Sequence, residues 1–217
     1  MRNKIISAKE AAAMVKDGMT IMTGGFTFFG SPTTVIDALV EAGAKDMILI
    51  ANDNGAPDFG VGKMITNHQF KKIHATHIAR NPEAGRQMIE GETEFVLIPQ
   101  GTMAEKIRAG GAGIGGFYTP TGLGTEYEEG KEKRIINGKE YLFEEGFHAE
   151  LAVIKANVGD RAGNLFMRRT AKNVNPLMAM AADVVIAEVD KIVEVGELDP
   201  ELVTVPGILV DYMVESE

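Results

Sequence analysis

A glycine-rich stretch near the N-terminus contains the residue types and spacing best suited to chemistry. An apolar run over residues 19–23 ends in Gly24 and Gly25, and Ser31 and Pro32 then favour a helix start. The N-terminus of a helix presents unpaired backbone N–H groups beside the positive end of its dipole, which suits phosphate or acyl oxygens. The same stretch also fits an ordinary tight turn between a strand and a helix, so both interpretations stay open at this point.

Two amide side chains follow apolar runs that are typical of buried strands. Gln100 comes after the run at 95–98, and Asn52 comes after the run at 47–51. The carboxyl ends of parallel strands are where α/β proteins place ligand-contacting residues. An amide N–H at Gln100 could stabilise a developing oxyanion, although a glutamine here could also cap the next helix. Asn52 is a similar candidate, within a 52–55 segment that also favours a turn.

Composition and net charge exclude some types of site and disfavour some types of partner. The chain has 217 residues and a net charge of −9, which disfavours nucleic acid and anionic membranes as partners. It contains no cysteine, which excludes disulfides, thiolate metal sites and a cysteine nucleophile. We find neither a signal-type apolar stretch nor a window of ~18 uncharged apolar residues, and therefore expect a cytoplasmic protein.

Strand-like and helix-like segments alternate along the chain. This order predicts an α/β fold in one domain over residues 1–217, with a mostly parallel sheet flanked by helices. The predicted strands are 19–23, 47–51, 72–78, 95–98, 151–156 and 184–189. The first predicted helix begins at Ala8 and stops near Gly18. The other predicted helices cover residues 32–42, 82–90, 102–109 and 176–182. Two strand-like runs around Asn137-Gly138 predict a small β-hairpin excursion.

Other motifs give weaker signals. Residues 111–116 have the spacing G-x-G-x-x-G, but a helix precedes them, which is the wrong context for dinucleotide binding. We interpret this run as a loop that allows close approach of another chain or a substrate. His74 and His77 are three apart on a predicted strand and would point to opposite faces, so we expect no metal site. No G-x-S-x-G elbow is present to suggest a serine hydrolase.

Three blocks of residues, in order, resemble the family I coenzyme A transferases. The first block comprises Asp17-Gly18, Gly24-Gly25-Phe26, Gly30 and Pro32. The second begins at Pro99-Gln100-Gly101-Thr102 and runs through the glycine-rich segment to Gly124-Thr125. The third comprises 160–164 and 171–175, so the resemblance covers nearly the whole chain.

The resemblance implies a specific chemistry and a specific set of residues. It implies that Gln100 contributes to the oxyanion site and that the glycine loop contacts coenzyme A, which is a substrate; no further cofactor is expected. The loop residues concerned are Gly24, Gly25, Phe26, Thr27, Phe28, Phe29 and Gly30, and Asn52 is added to them as a neighbouring candidate.

The family's nucleophile is a glutamate in a second signature, Ser-Glu-Asn followed by an apolar residue and Gly, which this sequence lacks. The resemblance is therefore to an α subunit that works with a β subunit, in an expected α2β2 assembly. The implied reaction moves coenzyme A from an acyl-CoA to a short-chain acid such as acetate, acetoacetate or butyrate. The alternative is a non-catalytic module of related α/β fold that binds an acyl or sugar effector. The role of residues 126–148 is not indicated.

Overall fold

Eight of the strands belong to the main sheet of the computed structural model, which describes residues 3–217. These strands are β1 (Thr20–Thr23), β2 (Met47–Ala51), β3 (Phe70–Ala75), β4 (Glu94–Leu97), β8 (Ala149–Asp160), β9 (Leu165–Phe166), β10 (Ala182–Val193) and β11 (Tyr212–Glu215). Seven of them run parallel in the order β11-β10-β8-β1-β2-β3-β4, and β9 pairs antiparallel with β8. The predicted α/β class with a mostly parallel sheet is confirmed.

Helices lie in the connections between most of the parallel strands, as is usual for such crossovers, whereas β10 and β11 are joined through 3-10 turns. The helices are α1 (Ala8–Ala12), α2 (Thr33–Ala42), α3 (Gly62–Thr66), α4 (Pro82–Glu90), α5 (Gln100–Gly111) and α6 (Asn175–Met178). Short 3-10 turns occur at Glu126–Glu128, Arg169–Lys172, Pro200–Leu202 and Gly207–Leu209. Within residues 3–217, no helix has the length and apolar character needed to cross a bilayer.

The sheet is covered on both faces because successive strand residues point to opposite sides. On β1, Ile21 belongs to one apolar cluster and Met22 to the other. On β2, Leu49 and Ile50 divide in the same way, and all four of these side chains are buried. A strand that is covered on both faces needs apolar side chains at successive positions, which explains the continuous apolar runs at 21–22 and 47–51.

The predicted hairpin is confirmed as part of a second, antiparallel sheet. Its strands are β5 (Gly116–Thr119), β6 (Lys133–Ile136) and β7 (Lys139–Glu145), in the order β5-β7-β6. Asn137 and Gly138 join β6 to β7 with φ of 52° and 76°. Two positive φ values in a two-residue turn are what a type I′ hairpin needs, which explains the Asn-Gly pair.

Several predicted boundaries are wrong for identifiable reasons. The first helix is shorter than predicted: Ser7 and Glu10 form a capping box at its start, but α1 ends at Ala12, and the Met14 and Val15 N–H groups bond only three residues back. Strand β4 is not buried as predicted, since it is the edge of the sheet and only β3 flanks it. Helix α6 is four residues long, not seven, and β3 ends before His77.

The chain reverses direction across the sheet at one place. Strands β1 to β4 are added outward on one side, and β8 then returns to pair with the other side of β1. Parallel α/β sheets bind ligands at the carboxyl ends of the strands beside such a switch point. The segments that follow β1 and its neighbours are therefore the place to look for a site.

Candidate functional site

Two loops and one helix start lie side by side at the carboxyl edge of the sheet. We define the first loop as residues 24–32, after β1, and the second loop as residues 52–61, after β2. The last residue of β1, Thr23, is opposite Ala51 on β2, so the two loops leave the sheet at one level. Gln100, at the start of α5, follows β4 at the same edge. The sheet therefore brings the sequence-predicted site residues to one edge.

Gln100 directly contacts Asn52. The Gln100 Nε2 group donates a hydrogen bond to Asn52 Oδ1 at 2.8 Å, although the two residues are 48 positions apart. The alternative role of a helix cap is not what the structure shows, since the cap position of α5 is Pro99. An amide nitrogen has two hydrogens, and one of them remains for another acceptor. The exposed Gln100 is thus an oriented hydrogen-bond donor.

Asn52 lies beneath Gln100 and is 1% exposed. Its backbone carbonyl accepts hydrogen bonds from the N–H and the hydroxyl of Thr76, at 3.0 and 2.6 Å. Its Nδ2 group lies 3.3 Å from Asp53 Oδ2. A side chain fixed in this way holds Gln100 in one orientation, and the contact of Asn52 with coenzyme A stays a prediction.

Asp53 joins the two loops, a role the sequence analysis missed. Its carboxylate accepts hydrogen bonds from the Thr27 N–H at 2.6 Å and from the Gly55 N–H at 3.0 Å. Asp53 is 7% exposed, so both bonds are shielded from water. The Asn-Asp-Asn-Gly turn signal predicts the bond to Gly55, but nothing local predicts the bond to Thr27.

The tip of the first loop is a tight turn that exposes two aromatic rings. The backbones of Phe26 and Phe29 exchange hydrogen bonds at 2.8 and 3.0 Å, and Thr27 between them has φ of 54°. Phe28 and Phe29 are 51% and 60% exposed. Exposed phenylalanines on a loop braced by a buried carboxylate form an apolar surface available to a ligand or a partner.

Phe28 contacts two groups outside the first loop. Its ring meets the Phe59 ring of the second loop edge-on at 5.2 Å between centroids. The Arg80 guanidinium lies 5.3 Å from the Phe28 centroid, within the range of a cation–π contact. The two loops therefore contact each other through side chains as well as through Asp53.

Gly24 and Gly30 pack against the chain's own residues. A Cβ at Gly24 would lie 1.6 Å from Asn175 Oδ1, and a Cβ at Gly30 would lie 2.9 Å from Ala171 Cα. Asn175 is fully buried, donating to the Gly30 and Ala171 carbonyls and accepting from the Lys155 N–H. Asn175 belongs to the third block noted in the sequence, where it was given no role.

Gly25 differs from these two glycines. A Cβ at Gly25 would meet Ser31 at 3.6 Å, an ordinary contact, so space does not demand glycine there. The φ of 141° at Gly25 is what requires glycine, because residues with a side chain rarely adopt that conformation. Glycine is required at position 25 because of the backbone conformation and not because of crowding.

At the N-terminus of α2, the N–H groups of Thr33 and Val35 already have acceptors within the chain. Ser31 is not the cap; its side chain adjoins Gly60, and Pro32 occupies the cap position. In the first turn, the Val35 N–H donates to Glu188 Oε2 at 3.0 Å. A buried carboxylate of the chain itself therefore occupies the positive end of this helix.

Glu188 is held from all sides. It is fully buried, and its other oxygen accepts hydrogen bonds from the Lys155 ammonium at 2.9 Å and the Ser216 hydroxyl at 3.0 Å. Both oxygens of this carboxylate are occupied by donors of the chain, which shields the group from a substrate. Glu188 is therefore a structural group, and it lies 153 positions along the chain from Val35, whose N–H donates to it.

Histidines and acidic clusters give no strong case for a metal. Burial lowers the pKa of His74 to about 4, so this ring is neutral at pH 7. Within residues 3–217, one group has metal-ligand spacing: His68, Glu83 and Glu92. Both of its glutamates bond the Arg86 guanidinium, which supplies the positive charge there. The absence of a metal site stays a prediction.

The glycine-rich run at 111–116 lies between α5 and β5, which agrees with rejecting a dinucleotide fingerprint. A close approach of two backbone segments begins at Gly110, one residue before this run, and both segments belong to this chain. A Cβ at Gly110 would lie 1.7 Å from the Phe147 carbonyl oxygen. Within the run, Gly113 and Gly115 have nothing within 4 Å, so close approach of a partner or substrate there stays a prediction.

Comparison with known proteins identifies the family. The family model described as "Coenzyme A transferase" matches residues 5–216. The acetate CoA-transferase subunit alpha of Escherichia coli is 47% identical, over 100% of this chain and 99% of that protein. The acetoacetyl-CoA:acetate/butyrate CoA transferase alpha subunit of Clostridium acetobutylicum is also 47% identical, with the same coverage.

Solved structures share the fold. An acyl-CoA transferase from Escherichia coli superposes with a TM-score of 0.88 at 22% identity, and this chain covers 47% of its length. Glutaconate coenzyme A-transferase from Acidaminococcus fermentans superposes with a TM-score of 0.86 at 17% identity, over 75% of its chain. The chain thus spans about half of the first structure and nearly all of the curated relatives. The full-length sequence matches and the family model together establish that the chain belongs to the coenzyme A transferase family.

Proposed function

We propose that the chain is the α subunit of a two-subunit transferase that moves coenzyme A from an acyl-CoA to a short-chain carboxylate. Relatives at 47% identity are named as alpha subunits acting with acetate, or with acetoacetyl-CoA, acetate and butyrate. Acetate, acetoacetate or butyrate is accordingly the proposed acid. The proposed assembly is α2β2 in the cytoplasm, and coenzyme A takes part as substrate with no further cofactor.

The observation that supports this proposal best is the Gln100–Asn52 pair. When a nucleophile adds to a thioester carbonyl, negative charge develops on the carbonyl oxygen. The free N–H of Gln100 can donate to that oxygen, and the 2.8 Å bond to buried Asn52 holds the amide in place beforehand. A donor positioned before the reaction is what makes such stabilisation effective.

The nucleophile in this proposal is a glutamate of the β subunit. Two buried carboxylates contact the first loop or the helix after it, Asp53 and Glu188, and both are occupied by hydrogen bonds within the chain. The Ser-Glu-Asn signature of the family's nucleophile is absent from the sequence. The chain therefore supplies an oxyanion donor and needs a partner's carboxylate.

The proposed reaction is a ping-pong exchange. The partner's glutamate attacks the acyl-CoA carbonyl, the C–S bond breaks, and an acyl-glutamyl anhydride forms as the thiolate leaves. The thiolate then attacks the glutamyl carbonyl, which releases the first carboxylate and leaves a glutamyl-CoA thioester. The acceptor carboxylate repeats these steps in reverse and leaves with coenzyme A.

The first loop is the proposed contact for coenzyme A, with different roles for its residues. Phe28 and Phe29 expose rings that can contact the ligand, and Phe26 and Thr27 form the turn that presents them. Gly24 and Gly30 allow Asn175 to anchor the base of the loop, and Gly25 provides its unusual φ. Asn52 acts by orienting Gln100.

The test is a transfer assay from acetoacetyl-CoA to acetate. The pure chain is assayed alone, and then after assembly with a β subunit of this family that contains the Ser-Glu-Asn signature. We expect transfer from the assembled complex and none from the chain alone, because the nucleophile is on the partner.

Robust transfer by the isolated chain would contradict the assignment of the nucleophile. An assembled complex that uses butyrate but not acetate would identify a different acid within the same proposal. A chain that forms no complex would favour a non-catalytic binding module.

A further inference from the structure

Two adjacent arginines, Arg168 and Arg169, lie beside the first loop and form no ion pair with any carboxylate that the structure describes. Arg86, Arg108 and Arg161 each form ion pairs with glutamates. Within residues 3–217, neither Arg168 nor Arg169 forms an ion pair. Arg80 and Arg134 also lack an ion pair in that range and lie over aromatic rings. What distinguishes Arg168 and Arg169 is that they are adjacent and line the same cavity.

Both arginines line one cavity together with the first loop. The cavity has a volume of about 710 Å³ and is lined by Phe29, Gly30, Asn157, Arg168, Arg169 and Thr170, among others. Phe29 contributes an exposed aromatic ring, and Asn157 comes from β8. The cavity therefore lies at the switch point between β1 and β8, where sheets of this kind bind ligands.

The local backbone keeps the two arginines at this cavity. The Arg168 N–H donates to Asn157 Oδ1 at 2.7 Å, and Arg169 has φ of 46°, in the left-handed region. The carboxylate nearest in this network, Asp190, accepts from Asn157 Nδ2 at 2.8 Å and pairs with Lys155 at 2.7 Å. Asp190 therefore has its own cation, and the two guanidinium groups keep their charge for another anion.

We propose that this cavity binds phosphate groups of coenzyme A, with Arg168 and Arg169 as their ligands. Guanidinium groups bind phosphate oxygens through paired N–H donors, and two adjacent ones suit a ligand with several negative charges. A short-chain monocarboxylate has one charge and would fill little of 710 Å³. This inference rests on the proposed function, because it takes coenzyme A as the substrate.

The experiment uses the assembled α/β complex with the double variant Arg168→Gln and Arg169→Gln. Steady-state kinetics are measured with acetoacetyl-CoA, with the 3′-dephospho-CoA thioester and with the pantetheine thioester, using acetate as acceptor. We expect KM for acetoacetyl-CoA to rise about tenfold or more, the change expected on losing a charge-assisted hydrogen bond to an anion. KM for the pantetheine thioester and for acetate should stay unchanged, since neither contains phosphate.

A matched control is Arg161→Gln, which removes an exposed arginine from the same segment. Arg161 pairs with Glu194 and does not line the cavity. We expect its kinetics to equal those of the wild type. Size-exclusion chromatography of all variants shows whether the complex still assembles.

Three results would overturn the proposal. An unchanged KM for acetoacetyl-CoA would show that the arginines do not bind it. A rise in KM for acetate alone would assign them to the carboxylate substrate, and loss of assembly would assign them to the partner interface.

Failure of the proposed function is distinguishable from failure of this inference. If the wild-type complex transfers nothing, the proposed function fails, and calorimetric titration with coenzyme A still tests the cavity. A weaker affinity of the double variant for coenzyme A would support the phosphate site; equal affinities, or no binding by either protein, would overturn it.

Discussion

The first and second loops have the same turn design and different surroundings. In the first, Phe26 and Phe29 form an isolated antiparallel bridge, and in the second, Ala56 and Phe59 do the same. A glycine in the left-handed region follows each bridge, with φ of 68° at Gly30 and 57° at the corresponding Gly60. A helix follows soon after each loop. Two neighbouring parallel strands therefore end in equivalent turns.

The difference lies in what each turn packs against. In the second loop, a Cβ at Gly55 would lie 2.6 Å from the Phe59 carbonyl oxygen, so the loop is folded tightly on itself. It supplies the buried groups Asn52 and Asp53, which hold Gln100 and Thr27. The first loop exposes Phe28 and Phe29 instead. One turn thus acts as the support and the other as the presented surface, although their backbone designs match.

Among the variants of the two loops, we expect the largest loss of stability from Gly24→Ala. Its Cβ would lie 1.6 Å from Asn175 Oδ1, so the buried anchor of the first loop must move. We expect the free energy of unfolding to fall by about 3 kcal/mol, as overpacking in a filled interior does. Urea unfolding followed by circular dichroism measures this. Gly25→Ala is the control, because its Cβ fits and only the φ strain of about 1 kcal/mol applies; equal losses for the two variants would refute the assignment.

Gln100→Ala tests whether the second loop supports catalysis. Removing the amide should lower kcat about 100-fold, as loss of an oxyanion donor does elsewhere, with little change in KM. The readout is steady-state transfer by the assembled complex. A raised KM at unchanged kcat would mean that Gln100 binds the ground state and does not stabilise the transition state.

Asp53→Asn should loosen the connection between the two loops. The variant loses the negative charge that accepts the N–H groups of Thr27 and Gly55. We expect a loss of about 2 kcal/mol in the free energy of unfolding, the range for hydrogen bonds to charged groups. Hydrogen exchange at the Thr27 amide should accelerate. Asp58→Asn, on the exposed tip of the second loop, is the matched control and should change neither quantity.

We expect the smallest effects at Phe29 and Phe59, which occupy equivalent positions in the two loops but should respond differently to substitution. Phe59→Ala removes a partly buried ring that contacts Phe28, and should cost about 1 kcal/mol of stability. Phe29→Ala removes a ring that is 60% exposed and should change stability by no more than about 0.5 kcal/mol. The same Phe29 variant should raise KM for acyl-CoA. The reverse pattern would exchange the roles that we assign to the loops.

The sequence predicted best those elements that depend on local signals. Strand β2 and helix α4 have the predicted bounds, and the Asn81 side chain caps α4 as its position before Pro82 favours. The position of β4 at the edge could not be predicted, because hydrophobic periodicity does not say which strands have two neighbours. The single-domain organisation stays a prediction.

At the candidate site, the sequence predicted which residues meet at the carboxyl edge of the sheet but could not assign their partners. Gln100 and Asn52 each follow a strand, and parallel pairing brings them together. The buried supports Asn175 and Glu188 act on the first loop and its helix from the far end of the chain. No local pattern predicts such distant contacts, so the sequence could not show that Glu188 contacts the N-terminus of this helix.

The Glu188 cap of α2 has a consequence for the order in which the protein matures. Ribosomal synthesis delivers α2 long before Glu188 and Ser216, which together complete the cap. On the nascent chain, the helix that follows the glycine loop lacks this buried anion. We therefore expect the first loop to become protected from proteolysis only when the last strand and the residues after it have left the exit tunnel. The part of the protein translated among the first would be among the last to reach its final form.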